Sequence, residues 1–207
     1  MNYETFILAL KDLDNFIVSL PEDVGIFKIK PEDNGKMQIK AIGGFAMIYH
    51  ANTKNIQSRE LNIDIDRLTD IFSLSILNEI EKIALKHGLE SDWLNNQYSK
   101  RKQFADEVEE YIAWEKTEES FQKIDLYVAD IEGLFTVKLR AVHETLEVKE
   151  SGRAEYEAKI SDIYDLYFIF KFLNESIDSI SNSKIQQCCD RYYRVIPYLQ
   201  NSEVFKR

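Results

Sequence analysis

The sequence predicts an α+β fold: a small mixed sheet flanked by helices, followed by a helical C-terminal part. Two observations carry this. Strand-like and helix-like segments are mixed up to about residue 130, and helical periodicity alone follows. Seven Gly and three Pro in 207 residues leave little irregular chain, so helices should dominate. The expected division is 1–130 for the mixed core and 131–207 for a helical part packed on it.

The first helix is read over residues 3–19, where Phe6, Ile7, Leu10, Leu13, Phe16, Ile17 and Leu20 fall at helical spacing and Pro21 stops the run. Gly25 to Lys30 reads as a short strand. PEDNGK, residues 31–36, carries Asn34-Gly35, which is turn chemistry for a hairpin into Met37–Ile42. Ile39 to Ile42 is a strand running into Gly43-Gly44, and Phe45 to Ala51 opens a helix. Asn62 to Leu68 alternates, with Ile63 and Ile65 on one face and Asp64 and Asp66 on the other. A helix from Thr69 or Ser73 to His87 should bury Ile76, Leu77, Ile80, Ile83 and Ala84, with Gly88 as its left-handed cap. DWLNN, residues 92–96, reads as a loop. Gln103 to Trp114 fits helix or strand, and Lys123 to Ala129 reads as a strand.

Beyond that point the pattern is helical. Asp130 is placed to cap a helix reaching about Val148, and ESGRAE is a loop. The next helix runs from about Glu155 to Leu173, with Ile160, Ile163, Leu166, Tyr167 and Phe170 inward and Asn174 as its breaker. Ile177, Ile180 and Lys184 to Leu199 predict one or two more helices.

A net charge of −10 opposes indiscriminate nucleic-acid binding. The one clear basic cluster is Lys100-Arg101-Lys102, which a solvated loop also explains. Cys188 and Cys189 are adjacent and lack ligand spacing, so they indicate neither a disulfide framework nor a zinc site. The N-terminal stretch lacks a basic region and a cleavage motif, and no apolar run reaches about 18 residues. A cytoplasmic protein without membrane association is expected.

The chemistry centres on Asp64 and Asp66. Carboxylates two apart on a strand share a face at roughly 6–7 Å. They can hold magnesium, an oxygen-seeking ion bound by one or two carboxylates together with substrate phosphates. A solvated edge strand would show the same pair. Gly43-Gly44 lets backbone approach a phosphate ahead of a helix start, although a tight turn alone would also use it. Lys138 has Leu134, Ala141 and Val142 as helical neighbours, an apolar stripe from which it either snorkels or serves a site. Asp162 lies on a face with Leu166 and Ile169, with Asp165 beside it; an acid favouring the helix start explains it equally. His50, His87 and His143 read as structural or exposed. Tyr164, Tyr167, Phe168, Phe170 and Phe172 read as core.

Five segments in order resemble the nucleotidyltransferase-fold proteins of the AbiEii-like toxin group. They are IGGFAMIYHA, IDID, GLESDWLNN, VADIEGLFTVKLRA and SDIYDLYFIF, spread over roughly residues 38–173. The chain departs from the pattern just before Asp64. Relatives carry R-x-T-x-D-x-D, whereas here Glu60-Leu61-Asn62-Ile63 precedes Asp64 and Arg59 is displaced by one residue. The resemblance implies a nucleotidyltransferase-like sheet in which Asp64 and Asp66 bind Mg2+. Gly43 and Gly44 would hold the phosphates of an NTP. Lys138 would reach a triphosphate, and Asp162 would assist the acceptor or the metal. Asp125 in KIDLYV is the candidate third carboxylate. The implied activity is nucleotide transfer from an NTP to an RNA, such as tRNA, or to a protein, by a bacterial toxin of a toxin–antitoxin or phage-defence pair with an antitoxin partner. A catalytically degenerate fold acting as a binding module is the alternative.

Overall fold

The computed structural model describes residues 3–21, 35–53, 65–67, 74–95, 111–150 and 160–206. The chain divides into two compact units, Met1–Asp130 and Ile131–Arg207. The architecture is mixed α+β.

In the first unit the described elements are α1 (Tyr3–Ser19), β1 (Met37–Ile42), α2 (Gly44–Thr53), β2 (Ile65–Arg67), α3 (Leu74–His87), β3 (Leu94–Asn95), β4 (Trp114–Lys116) and β5 (Ile124–Ala129). They build one five-stranded mixed sheet in the order β3-β2-β1-β5-β4. β1 runs parallel to β5 and antiparallel to β2, while β4 returns antiparallel to β5. Met37, Ile39 and Ala41 on β1 and Ile124, Leu126 and Val128 on β5 are buried, forming one apolar face by the two-residue alternation of strands. α2 packs across β1, β2 and β5, and α1 lies against α2 and α3. Phe6 of α1 joins them, with its ring 5.8 Å from Phe45 and 6.3 Å from Trp93.

Two side chains tie α1 and α2 to the sheet. Asp14 is buried, and its two oxygens accept from the backbone N–H groups of Gln122 at 2.8 Å and Lys123 at 2.7 Å, just ahead of β5. His50 is buried too, and its Nε2 lies 2.8 Å from the Ala129 carbonyl oxygen. A carbonyl can only accept, so that nitrogen carries the hydrogen.

Several expectations change. Residues 92–96 are not all loop, because Leu94 and Asn95 form the edge strand β3, parallel to β2. Trp93 anchors this stretch, fully buried with its ring N–H donating to the Ile80 carbonyl at 3.1 Å. Leu77 is 41% exposed rather than inward; Ile76, Ile80, Ile83 and Ala84 alone form the buried stripe of α3. The strand read over residues 25–30 and the basic cluster at residues 100–102 lie outside the described residues.

The second unit is helical throughout its described elements: α4 (Ile131–Glu150), α5 (Ile160–Leu173), α6 (Ser183–Arg191) and α7 (Val195–Asn201). α5, α6 and α7 all pack against α4. Phe135 and Phe170 meet edge to face at 5.3 Å, and Phe205 packs on Tyr167 and Phe170. Asn174 adopts φ 61° and ends α5 in the left-handed region, which Asn tolerates better than most residues. Ile177 and Ile180 do not continue into a helix. Glu175 folds this segment instead, accepting from Ser181 N–H, Ser181 Oγ and Asn182 N–H at 2.6–2.8 Å. Asn182 then caps α6 by accepting from the N–H groups of Lys184 and Ile185.

Candidate active site

The glycine turn is built by strand-to-helix geometry. Ile42 ends β1, Gly43 takes φ 73°, and α2 starts at Gly44. A side chain at φ 73° would meet the following carbonyl, so glycine suits this step. The helix closes on the turn, with Met47 N–H donating to the Gly43 carbonyl at 3.2 Å. The register then sets Asp66 opposite Ile42, the residue directly before the turn. Gly43, Gly44 and the backbone of Asp66 are thus neighbours in the first unit. Asp64 lies outside the described residues.

By donor type the two acids suit magnesium. Carboxylate oxygens are the ligands magnesium prefers, and one of the two acids stands on the strand beside a turn whose amides favour anionic oxygens. Among the described residues no group of three or more His, Cys, Asp or Glu is arranged to hold a metal ion.

Asp125 does not supply the third carboxylate. It pairs in register with Gln38, four residues before Ile42, so it stands roughly 13 Å down the strands from the Asp66 row. Its Oδ1 is engaged by Lys116 Nζ at 2.9 Å and Lys36 Nζ at 3.5 Å. The acid in KIDLYV closes an ion-pair network at the opposite end of β5.

In the second unit Lys138 and Asp162 come together, 2.8 Å between Nζ and Oδ1. Asp165 completes the group, with Oδ2 2.9 Å from the same ammonium. Lys138 is 9% exposed and Asp165 3% exposed, so this is a largely dry ion cluster. The apolar stripe of Leu134 and Val142, both buried, carries the lysine inward rather than letting it reach solvent. Among the described residues, two carboxylates face this one ammonium. Asp165 is the partner that sequence reasoning noted only as a neighbour. The signal was available, since positions three apart on a helix share a face.

The remaining polar candidates have structural tasks. His87 Nε2 contacts Asp12 Oδ2 at 2.5 Å, and Lys86 Nζ reaches the same oxygen at 2.7 Å. Burial pushes the Asp12 carboxyl up, but the hydrogen bonds from Lys86 and His87 outweigh it and hold the group below its ordinary value. The His143 ring lies tilted against that of Tyr192, with centres 5.1 Å apart, and its Nε2 contacts Glu147 at 3.2 Å. Cys188 and Cys189 are both buried, free thiols on α6; burial pushes them up to about 11 and about 12.

No family model, curated protein or solved structure matches the chain. Among the described residues no helix is long and apolar enough to cross a membrane.

Proposed function

We propose that the protein is a magnesium-dependent nucleotidyltransferase that moves a nucleotide from an NTP to an RNA or protein acceptor, as a toxin of the AbiEii-like type. The observation that carries this reading is the register of β1 and β2, which sets Asp66 beside the Gly43-Gly44 turn. Asp64 and Asp66 hold magnesium, which when bound neutralises phosphate charge and orients the transferred group. Gly43 and Gly44 hold the nucleotide phosphates through their backbone and the start of α2. The resemblance gives Lys138 to phosphate and Asp162 to the acceptor or the metal.

A second reading, a degenerate fold used as a binding module, is favoured by one observation. The Lys138 ammonium is already matched by Asp162 and Asp165. An anion would have to compete with two carboxylates for it. This reading keeps the fold and drops the transfer.

Thermal unfolding in the presence of an NTP and magnesium separates the two. A ligand at a hundred times its Kd stabilises the folded state by about 2.7 kcal/mol. The transferase reading expects a stabilisation that needs both components and is lost in Asp66→Asn. No stabilisation by any NTP with magnesium rejects it.

A further inference from the structure

The face of the sheet opposite the buried one has an organised surface of its own. Gln38, Lys40, Asp125 and Tyr127 alternate onto it from β1 and β5, all partly exposed. The register sets Lys40, Tyr127 and Lys116 side by side across β1, β5 and β4. Strands lie about 4.8 Å apart, so the two lysines leave the sheet about 10 Å apart with an aromatic ring between them. Trp114, two residues before Lys116, shares the face. Lys40 Nζ lies 5.3 Å from the centre of its ring, and Lys116 Nζ lies 5.9 Å from that of Tyr127. Asp125 and the 55% exposed Lys116 side chain hold each other at 2.9 Å.

Strand alternation also sorts the charge. Glu115, between Trp114 and Lys116, falls on the other face. There, burial first and then Glu115, Glu118 and Glu119 push the Tyr49 hydroxyl up. A chain with net charge −10 thus gathers Lys36, Lys40 and Lys116 with two aromatic rings on one side of its sheet, where Asp125 pairs with Lys36 and Lys116, and turns Glu115 to the other side.

We propose that this face binds single-stranded RNA, with bases stacking on Trp114 and Tyr127 and phosphates meeting Lys40 and Lys116. Lysines interleaved with rings serve a strand whose bases are unstacked, because every base offers a π-face and every linkage a charge. Gln38 in the adjoining row has the amide chemistry to meet the 2′-hydroxyls that distinguish RNA from DNA. The lysine row ends two residues, about 7 Å, short of the Ile42–Asp66 row. That this strand is the acceptor rests on the nucleotidyltransferase reading; the binding itself does not.

The test is fluorescence anisotropy of a labelled single-stranded RNA of about 12 nucleotides with the full chain, over a salt series. Binding should weaken with salt, weaken on the order of tenfold in Trp114→Ala, and at least as much in the double variant Lys40→Glu/Lys116→Glu. Lys82→Glu/Lys184→Glu, the same charge change on exposed lysines of α3 and α6, should leave it within about twofold. If the charge-reversed double variant fails to unfold cooperatively, Lys40→Gln and Lys116→Gln measured singly take its place. No binding at low salt, equal affinity for DNA of the same sequence, or equal loss in the control variant overturns the proposal. RNA binding without nucleotide transfer sinks the enzyme reading and keeps this face. Transfer to another acceptor without RNA binding does the reverse.

Discussion

Lys138 and Asp162, 24 positions apart on two helices, share one hydrogen bond of 2.8 Å within a cluster that Asp165 closes at 2.9 Å. Removing one partner of a buried ion pair costs about 3–5 kcal/mol, because the other charge stays behind. Lys138→Met should therefore destabilise the second unit by about 3 kcal/mol or more, read by urea unfolding. The double change Lys138→Met/Asp165→Leu should recover part of that loss. If the single variant is as stable as the parent, the cluster is not the buried pair its geometry describes.

Asp14 is the corresponding case in the first unit. Its carboxylate takes two backbone N–H donors that precede β5. Hydrogen bonds to charged groups contribute about 1.5–3 kcal/mol, and loss of the acceptor strands two amides. Asp14→Ala should lower stability by about 3 kcal/mol in denaturant titration, and Asp14→Asn by less, since one oxygen remains.

The Asp12 carboxyl is held below its ordinary 3.8 by Lys86 and His87, against the opposing push of burial. A depressed folded-state value means the contribution is present above pH 3.8 and lost as pH falls through the lower folded value. Asp12→Asn should flatten the acid limb of a stability–pH curve below about pH 4, with a small loss of stability at neutral pH that vanishes toward the acid end. An unchanged acid limb would show that the contact does not persist in solution.

The thiols of Cys188 and Cys189, raised to about 11 and about 12, should be unreactive toward a disulfide reagent at pH 8. Both should label together on unfolding, so thiol counting at rising urea follows the opening of α6. Fast labelling of the native protein would contradict their burial.

The elements that could be read from the sequence were those with their own periodicity. β1 and β5 alternate, α1 and α5 carry apolar stripes, and Gly43 and Asn174 mark turns that the backbone confirms at φ 73° and φ 61°. What stayed hidden depends on partners distant in the chain. Asp14 looked like one more polar residue of α1, because its amide donors lie more than a hundred positions away. β3 is two residues long and shows no alternation. Ile177 and Ile180 had helical spacing, but Glu175 offers the backbone a competing set of hydrogen bonds. Lys138 could be singled out from its apolar neighbours, but not that two acids would hold it. Asp125 was attractive by residue type and excluded by register, which only the paired strands reveal.

Asp66 and Asp125 therefore make opposite predictions. In a nucleotide-transfer assay Asp66→Asn should lower the rate by at least about a hundredfold, the scale for removing a group that stabilises transferred charge. Asp125→Asn should leave most activity, because its partners are Lys36 and Lys116. Equal loss in both would return Asp125 to the site.

The most direct measurement of the central claim is transfer of label from radiolabelled NTPs to RNA and protein acceptors, with and without magnesium, by the parent chain and Asp64→Ala. The transferase reading predicts magnesium-dependent labelling by the parent and none by the variant. Labelling that survives Asp64→Ala, or none by the parent with any NTP and acceptor, would contradict it.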